Sequence, residues 1–201
     1  MTRVTFGMFR KGVREPGATL ASAGATFLPP TPMPTATATI VRHHREGSAS
    51  ASARMDRSYR ESRYWGQRGT PQAGWAAAMR ACYATYVELT HGDTRPAFAT
   101  GLNRDLALPP DDLGVHIDVV LLDIEGYVPR LVLWDSNELT RALAVRYAAP
   151  AWKVMEDELG DGRVARVEVW SLRAPTRITV SPEEARAAMD DVERVVHRLV
   201  V

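Results

Sequence analysis

Two aspartates that interrupt apolar runs are the residues of this chain best suited to chemistry. Asp118 lies inside an apolar run at 115–124, and Asp135 directly follows a second run at 128–134. A carboxylate within an apolar strand is costly to bury unless it has a hydrogen-bond partner or a metal ion. Two such carboxylates on neighbouring strands therefore indicate a divalent-cation site.

The elements that must position these aspartates are predicted from apolar patterns. Both runs are apolar on both faces, which is typical of central strands, and three residues join them as a hairpin. Residues 97–108 are a further candidate strand. A helix at 71–91 precedes the strands, because one apolar stripe recurs there at helical spacing. The stripe consists of Trp75, Met79, Cys82, Tyr86 and Leu89.

The remaining elements follow the aspartates. They are a helix at 137–148, a second helical piece from 150 to 160, strands at 163–172 and 176–180, and a final amphipathic helix at 182–200. Pro150 predicts a kink or restart of the first helix. Ser181 as N-cap with Glu184 three residues later predicts the start of the last one. This order predicts an α/β (α+β) fold, with a mixed central sheet flanked by helices.

Residues 1–54 differ in composition from the rest. They are rich in Pro, Ser, Thr and Ala, and such sequence buries too little apolar area to offset its ordering entropy. We therefore predict a low-complexity, disordered N-terminal tail over 1–54. Two alternatives stay open: an arginine-rich organelle transit peptide, or an upstream extension of a protein whose native start is Met55.

Charge and cysteine content limit the partners. Residues 1–54 carry seven basic and two acidic residues, a net charge of +5, whereas residues 55–201 carry 18 basic and 22 acidic ones, a net charge of −4. Contact with nucleic acid therefore needs a local arginine patch or the basic tail. Cys82 is the one cysteine, and no apolar stretch is long enough to span a membrane, so we expect a cytoplasmic location.

The aspartate motif resembles that of a known superfamily. Gly114-Val-His-Ile-Asp118, followed by Trp134-Asp135-Ser-Asn137, is similar to the PD-(D/E)XK nucleases, in particular their RecB-like branch. Residues 71–173, about half of the chain, follow that branch's element order. The resemblance implies a restriction-endonuclease-like domain at 55–180 that acts on nucleic acid. The amphipathic helix at 181–201 would then pack on this domain or on a partner.

The resemblance also implies roles for the matching residues. Asp118 and Asp135 would ligate the metal, and Glu88 of the preceding helix would complete the site. Their oxygens suit Mg²⁺ or Mn²⁺. The metal would polarise the scissile phosphate and help to form hydroxide from water. An active chain would thus be a metal-dependent phosphodiesterase.

Two polar residues of the family pattern are missing. Asn137 stands where Asp/Glu-x-Lys has its lysine, and Leu143 stands where a glutamine precedes Tyr147 by four residues. Asparagine cannot supply the positive charge of lysine, and Arg146 is the candidate replacement because it shares a helical face with Leu143. These departures leave open an active nuclease or a catalytically weak or inactive subunit of a DNA-processing or defence assembly.

Each candidate also has a structural interpretation. Asp118 would close a turn or pair with an arginine, and Asp135 would be the N-cap of the helix at 137–148. Glu88 would lie on the surface, and His116 would be structural. On this interpretation the protein is a non-enzymatic interaction module that uses its C-terminal helix and acidic surface to bind a partner.

Two further segments are candidates for ligand contacts. The pair His43-His44 is by itself a weak indication of a metal site. The arginine- and aromatic-rich stretch at 57–68 would contact phosphates and stack on bases, or pack its aromatic rings on the core.

Overall fold

The computed structural model describes residues 2–19, 33–61, 71–134 and 138–200. The strands are β1 (Arg3–Val4), β2 (Ala97–Leu108), β3 (Asp111–Asp123), β4 (Gly126–Leu133), β5 (Val167–Ser171) and β6 (Thr176–Val180). The helices are α1 (Phe6–Arg14), α2 (Met33–Glu46), α3 (Ser48–Glu61), α4 (Pro71–Thr90), α5 (Arg141–Leu159), α6 (Pro182–Ala187) and α7 (Met189–Val200). The predicted α/β fold, with helices flanking a mixed sheet, is confirmed.

Strand β3 pairs with three other strands of the six-stranded sheet. One of its edges pairs with antiparallel β2 along nearly the whole strand. Its other edge pairs with antiparallel β4 over residues 119–123 and with parallel β1 at residues 112–113. Beyond β4 come parallel β5 and then antiparallel β6. The predicted strands at 115–124 and 128–134 are therefore paired neighbours, as the sequence indicates.

The two faces of the sheet carry separate cores. On the first face, α1, α5, α6 and α7 pack on the sheet around residues such as Ile117, Leu131 and Val169. On the second face, α2, α3 and α4 cover Trp134 and Trp170. The apolar stripe predicted for the helix at 71–91 supplies this second core, since the described side chains of Met79, Cys82 and Tyr86 are buried in it.

The N-terminal residues are part of both cores. In place of the disordered tail predicted for 1–54, the described residues of that stretch form β1, α1, α2 and the first half of α3. Val4 and Phe9 are fully buried in the first core, and Ile40 and Ala51 in the second. Composition misses these contacts because a few well-spaced apolar side chains are enough when the rest of the chain supplies the surface they bury against.

Helix α5 begins later than predicted and does not restart. Its N-cap is Thr140, whose hydroxyl accepts a hydrogen bond from the Leu143 amide at 3.3 Å, so the helix starts at Arg141 and not at the predicted residue 137. Asp135, the predicted N-cap, lies outside the described residues. The helix runs through Pro150 to Leu159. Its residues 147–152 are buried, and packing of both halves on the sheet offsets the roughly 3 kcal/mol that an interior proline costs.

The C-terminal helix packs within the chain. The predicted capping box is present, because Ser181 Oγ accepts from the Glu184 amide at 3.3 Å and Glu184 Oε2 accepts from the Ser181 amide at 2.9 Å. A break at Ala188 divides the predicted helix into α6 and α7. The apolar face of α7 packs on α1 and α5, closely enough that a Cβ on Gly12 would lie 2.9 Å from a methyl carbon of Leu199. No described helix has the length and apolarity needed to cross a membrane.

Candidate functional site

Asp118 lies where β3 and β4 part. The ladder between these strands ends at Val119 and Arg130, and the next inward amide of β4, that of Val132, donates to Asp118 Oδ2 at 2.8 Å. The carboxylate thus replaces a ladder carbonyl and satisfies a buried donor. The alternation of β3 also shifts by one residue there. Odd-numbered residues up to Ile117 face the first core, whereas beyond Asp118 the even-numbered Val120 faces it. Asp118 is buried, as its place in an apolar run predicts.

His116 connects Asp118 to the edge strand. Its Nδ1 lies 2.9 Å from Oδ1 of Asn103 on β2, and its Nε2 lies 3.5 Å from Asp118 Oδ1. Burial lowers the pKa of His116, but the hydrogen bond and negative charge of Asp118 outweigh burial, and the pKa is raised. When protonated, this imidazole is a cation facing the carboxylate, so both oxygens of Asp118 face protein partners.

Among the described residues, no contact joins Glu88 or Arg146, the other predicted site residues, to Asp118. The Glu88 side chain is exposed on α4. Arg146 donates from Nε to Asp191 Oδ2 of α7 at 2.9 Å, which ties α5 to the C-terminal helix. Asp135 and Asn137 lie outside the described residues.

The fit of Mg²⁺ or Mn²⁺ depends on these placements. Among the described residues, no group of three or more His, Cys, Asp or Glu side chains is arranged to hold a metal ion. Asp118 would have to share its oxygens between a cation and the Val132 amide. The predicted ligand set of Glu88, Asp118 and Asp135 therefore stays a prediction.

A buried ion-pair network on the second face is the main polar feature that sequence reasoning missed. The fully buried Arg130 of β4 donates to Glu168 of β5 at 2.8 Å and to Asp93 at 2.7 Å. Arg95 donates to the same two carboxylates, each at 2.8 Å, so two cations and two anions alternate in a closed ring. The Arg130 guanidinium also stacks on Trp170, 3.6 Å from the ring centroid.

The network holds its charges firmly. Burial raises the pKa of Asp93, but hydrogen bonds from Arg95 and Arg130 outweigh burial and hold that pKa well below its usual range. Arg130 and Glu168 are direct neighbours in the parallel ladder. A signal existed in the sequence, because each is a single charge within an apolar strand and the two charges are opposite.

An apolar patch lies at the tip of the β3–β4 hairpin. We call Phe98, Leu122, Ile124 and Tyr127 the hairpin-tip patch. The rings of Phe98 and Tyr127 meet edge to face with centroids 4.7 Å apart, and Leu122 is the ladder partner of Tyr127. Phe98 is 54% exposed, Leu122 is 43% exposed, and Ile124 is fully exposed.

Local backbone features create this patch. The register of β2 and β3 shifts between Ala97 and Ala99, so Phe98 is the extra residue of a bulge, a device that re-aims a side chain. At the other side of the tip, Gly126 has φ +136°, and a Cβ there would lie 2.5 Å from the Arg163 carbonyl oxygen. Only glycine therefore lets the hairpin pack against the loop that contains Arg163.

Charged residues near the hairpin tip are paired within the chain. Arg166 bonds to Asp123 and, at 2.9 Å, to Glu125, and Arg95 lies 3.7 Å from Asp123. The hairpin tip thus combines exposed apolar side chains with nearby charges that are neutralised within the chain.

Comparisons with known proteins assign no family. A scan against protein-family models gives no match, and a search of the curated proteins finds no significantly similar relative. The PD-(D/E)XK resemblance therefore stays a prediction that rests on the motif and on element order.

Proposed function

We propose that this protein is a non-enzymatic protein-interaction module that binds its partner through the hairpin-tip patch. The observation that carries the proposal is the clustering of Phe98, Leu122 and Ile124, the exposed large apolar side chains of the described part, at one end of the sheet. Single exposed apolar residues are normal, but several of them at one end of a sheet, with an aromatic pair beside them, are typical of interaction surfaces.

This proposal relocates the interaction surface expected from the sequence. The apolar face of the C-terminal helix is covered by α1 and α5, so it is not free for a partner. By comparison, the described residues leave much of the hairpin-tip patch uncovered, and Ile124 is fully exposed.

The size of the patch indicates a modest interface. Large side chains bury about 150–250 Å² each, so these partly exposed ones offer at most roughly 500 Å². A stable interface needs about 800 Å² on each partner. The partner therefore binds transiently or adds polar contacts near the hairpin tip.

Photocrosslinking tests the proposal. A benzoylphenylalanine placed at Ile124 of the full chain in its native cells should crosslink a discrete partner, identified by mass spectrometry. The same probe at Arg173, which is exposed in the turn at the opposite end of the sheet, is the matched control. Binding of the purified partner should fall tenfold or more in Phe98→Ser and Ile124→Ser, with little change in the melting temperature.

Two results would count against the module. One is equal crosslinking at positions 124 and 173. The other is partner affinity that Phe98→Ser and Ile124→Ser leave within twofold of the wild type.

A metal-dependent nuclease is the second candidate, favoured by the pairing of β3 with β4, the helix that follows, and β5 parallel to β4. In this candidate Asp118 and Asp135 hold Mg²⁺ or Mn²⁺. The test is Mn²⁺ titration calorimetry together with a cleavage assay on labelled single- and double-stranded DNA. Asp118→Asn is the informative variant, because its amide oxygen still accepts from Val132 while the negative charge is gone. Heat and cleavage that Asp118→Asn abolishes would support the nuclease, and their absence in the wild type would dismiss it.

A further inference from the structure

The hairpin formed by α2 and α3 covers the second face of the sheet, and few of its described side chains are both apolar and buried. Among the described side chains, those of the hairpin buried in this core are Ala36, Ile40, Ala51 and Met55, two of which are alanines. Gly47, with φ +88°, ends α2 and turns the chain into α3. Small side chains bury little area, so polar contacts matter for docking of this hairpin.

Two adjacent histidines make those polar contacts. His43 Nδ1 lies 3.0 Å from the Tyr83 hydroxyl, and His44 Nε2 lies 2.7 Å from the Tyr86 hydroxyl. The two imidazoles lie edge to face with centroids 5.2 Å apart. The Tyr83 hydroxyl also donates to the Ser48 carbonyl at 3.2 Å, so it bonds both helices of the hairpin.

The surroundings oppose positive charge on these histidines. Arg130 of β4 is a fully buried cation that acts on both. Asp93 acts in the opposite direction on His44, but its oxygens already accept from Arg95 and Arg130.

The tyrosines of α4 cannot supply the missing negative charge. Burial raises the pKa of Tyr83 to about 12 and raises that of Tyr86 further, so both stay neutral. Burial lowers the pKa of His43. For His44, burial, the neighbouring His43 and Arg130 together lower the pKa to about 4.

We infer that the α2–α3 hairpin is an acid-sensitive cover, which detaches from the second face when His43 and His44 are protonated. Protonation puts two cations next to each other and near buried Arg130. Detachment returns both imidazoles to water and uncovers Tyr83 and Tyr86 on α4.

The pH window follows from linkage. An imidazole in water has a pKa near 6.5, so the detached state binds protons more readily than the docked one, and docking weakens as pH falls from about 6.5 towards 4. At pH 5 the shift of His44 alone corresponds to at most about a 30-fold weaker docking equilibrium. Solvent reduces this factor because His44 is only partly buried.

Hydrogen exchange on the full chain tests the switch. Protection factors, which correct for intrinsic exchange rates, are compared between pH 7 and pH 5 for residues 36–55 and for α5. We expect hairpin protection to fall by roughly tenfold relative to α5, within the limit set by linkage. The double variant His43→Gln, His44→Gln keeps side chains that hydrogen-bond to the tyrosines but do not titrate. In this variant the ratio of hairpin protection to α5 protection should not change with pH. His91→Gln, at an exposed histidine after α4, should behave as the wild type.

Several outcomes overturn the inference. Hairpin and α5 losing protection in parallel would mean global acid unfolding, and an equal loss in the double variant would exclude the histidines. If the double variant is already undocked at pH 7, imidazole resonances of the wild type decide. Titration of His43 and His44 below about pH 5.5, together with loss of hairpin protection, supports the switch, and titration near 6.5 refutes it.

Discussion

At the scale of single residues, buried charges in this protein are matched by specific partners. Asp118 is held by one amide and one imidazole, and Arg130 by Glu168 and Asp93. The strand pattern marks Asp118, Arg130 and Glu168 as unusual, because each interrupts an apolar run. Which group each one meets depends on strands that are far apart in the chain.

Removing one charge of the ring should be costly. Glu168→Gln leaves Arg130 fully buried with less compensation, and we expect a loss of about 3 kcal/mol or more in the free energy of unfolding. Glu158→Gln is the matched control, since it removes an exposed partner of Arg104 and should cost less than about 1 kcal/mol. Urea denaturation measures both values, and equal costs would show that the ring contributes no more than a surface pair.

At the scale of elements, the structure differs most from the sequence-based prediction at the N-terminal strand and helix, where a disordered tail is predicted. β1 extends the sheet beside β3, and α1 packs on α7 around Gly12. Neither element has a strong signal of its own, because each is short and is stabilised by distant parts of the chain. By contrast, the sequence predicts α4, β6 and the capped start of α6 nearly to the residue, because their signals are local.

The N-terminal helix should contribute measurably to stability. Phe9 is fully buried, so Phe9→Ala should lower the free energy of unfolding by about 3–5 kcal/mol. Glu15→Ala, at an exposed position six residues later, should change it by less than about 0.5 kcal/mol. Thermal and urea unfolding test this, and a Phe9→Ala protein as stable as the wild type would restore the prediction of a disordered tail.

At the scale of the whole molecule, one sheet separates two unequal cores. The first is the larger, whereas the second lies beside the Arg130 ring and the histidines of α2. Because the α2 histidines lie on the second face, the proposed switch makes that face the acid-sensitive one. The hairpin-tip patch lies at the end of β3 and β4, which also pack in the first core.

Acid stability should depend on Asp93. Its pKa is depressed in the folded state, so its contribution is present above its unfolded pKa of about 3.9 and is lost as pH falls below that value towards the folded pKa. The wild type should lose unfolding free energy steadily from pH 4 to pH 2. Asp93→Asn should be less stable than the wild type at pH 7. It should also lose less unfolding free energy between pH 4 and pH 2, because its unfolding is linked to the uptake of up to about one proton fewer. Urea denaturation at each pH measures both slopes, and parallel slopes would contradict the role of Asp93.

The sequence by itself determined the order and kind of the elements from residue 71 onwards, the pairing of the two apolar strands, and the burial of Asp118. These properties follow from local periodicity, capping and the cost of interrupting an apolar run. Only the tertiary structure decided that Asp118 bonds to Val132, that Arg130 and Glu168 are partners, and that β1 and α1 join the core. Such outcomes depend on contacts between residues tens of positions apart, and the geometry of the assembled sheet selects them from many compatible partners.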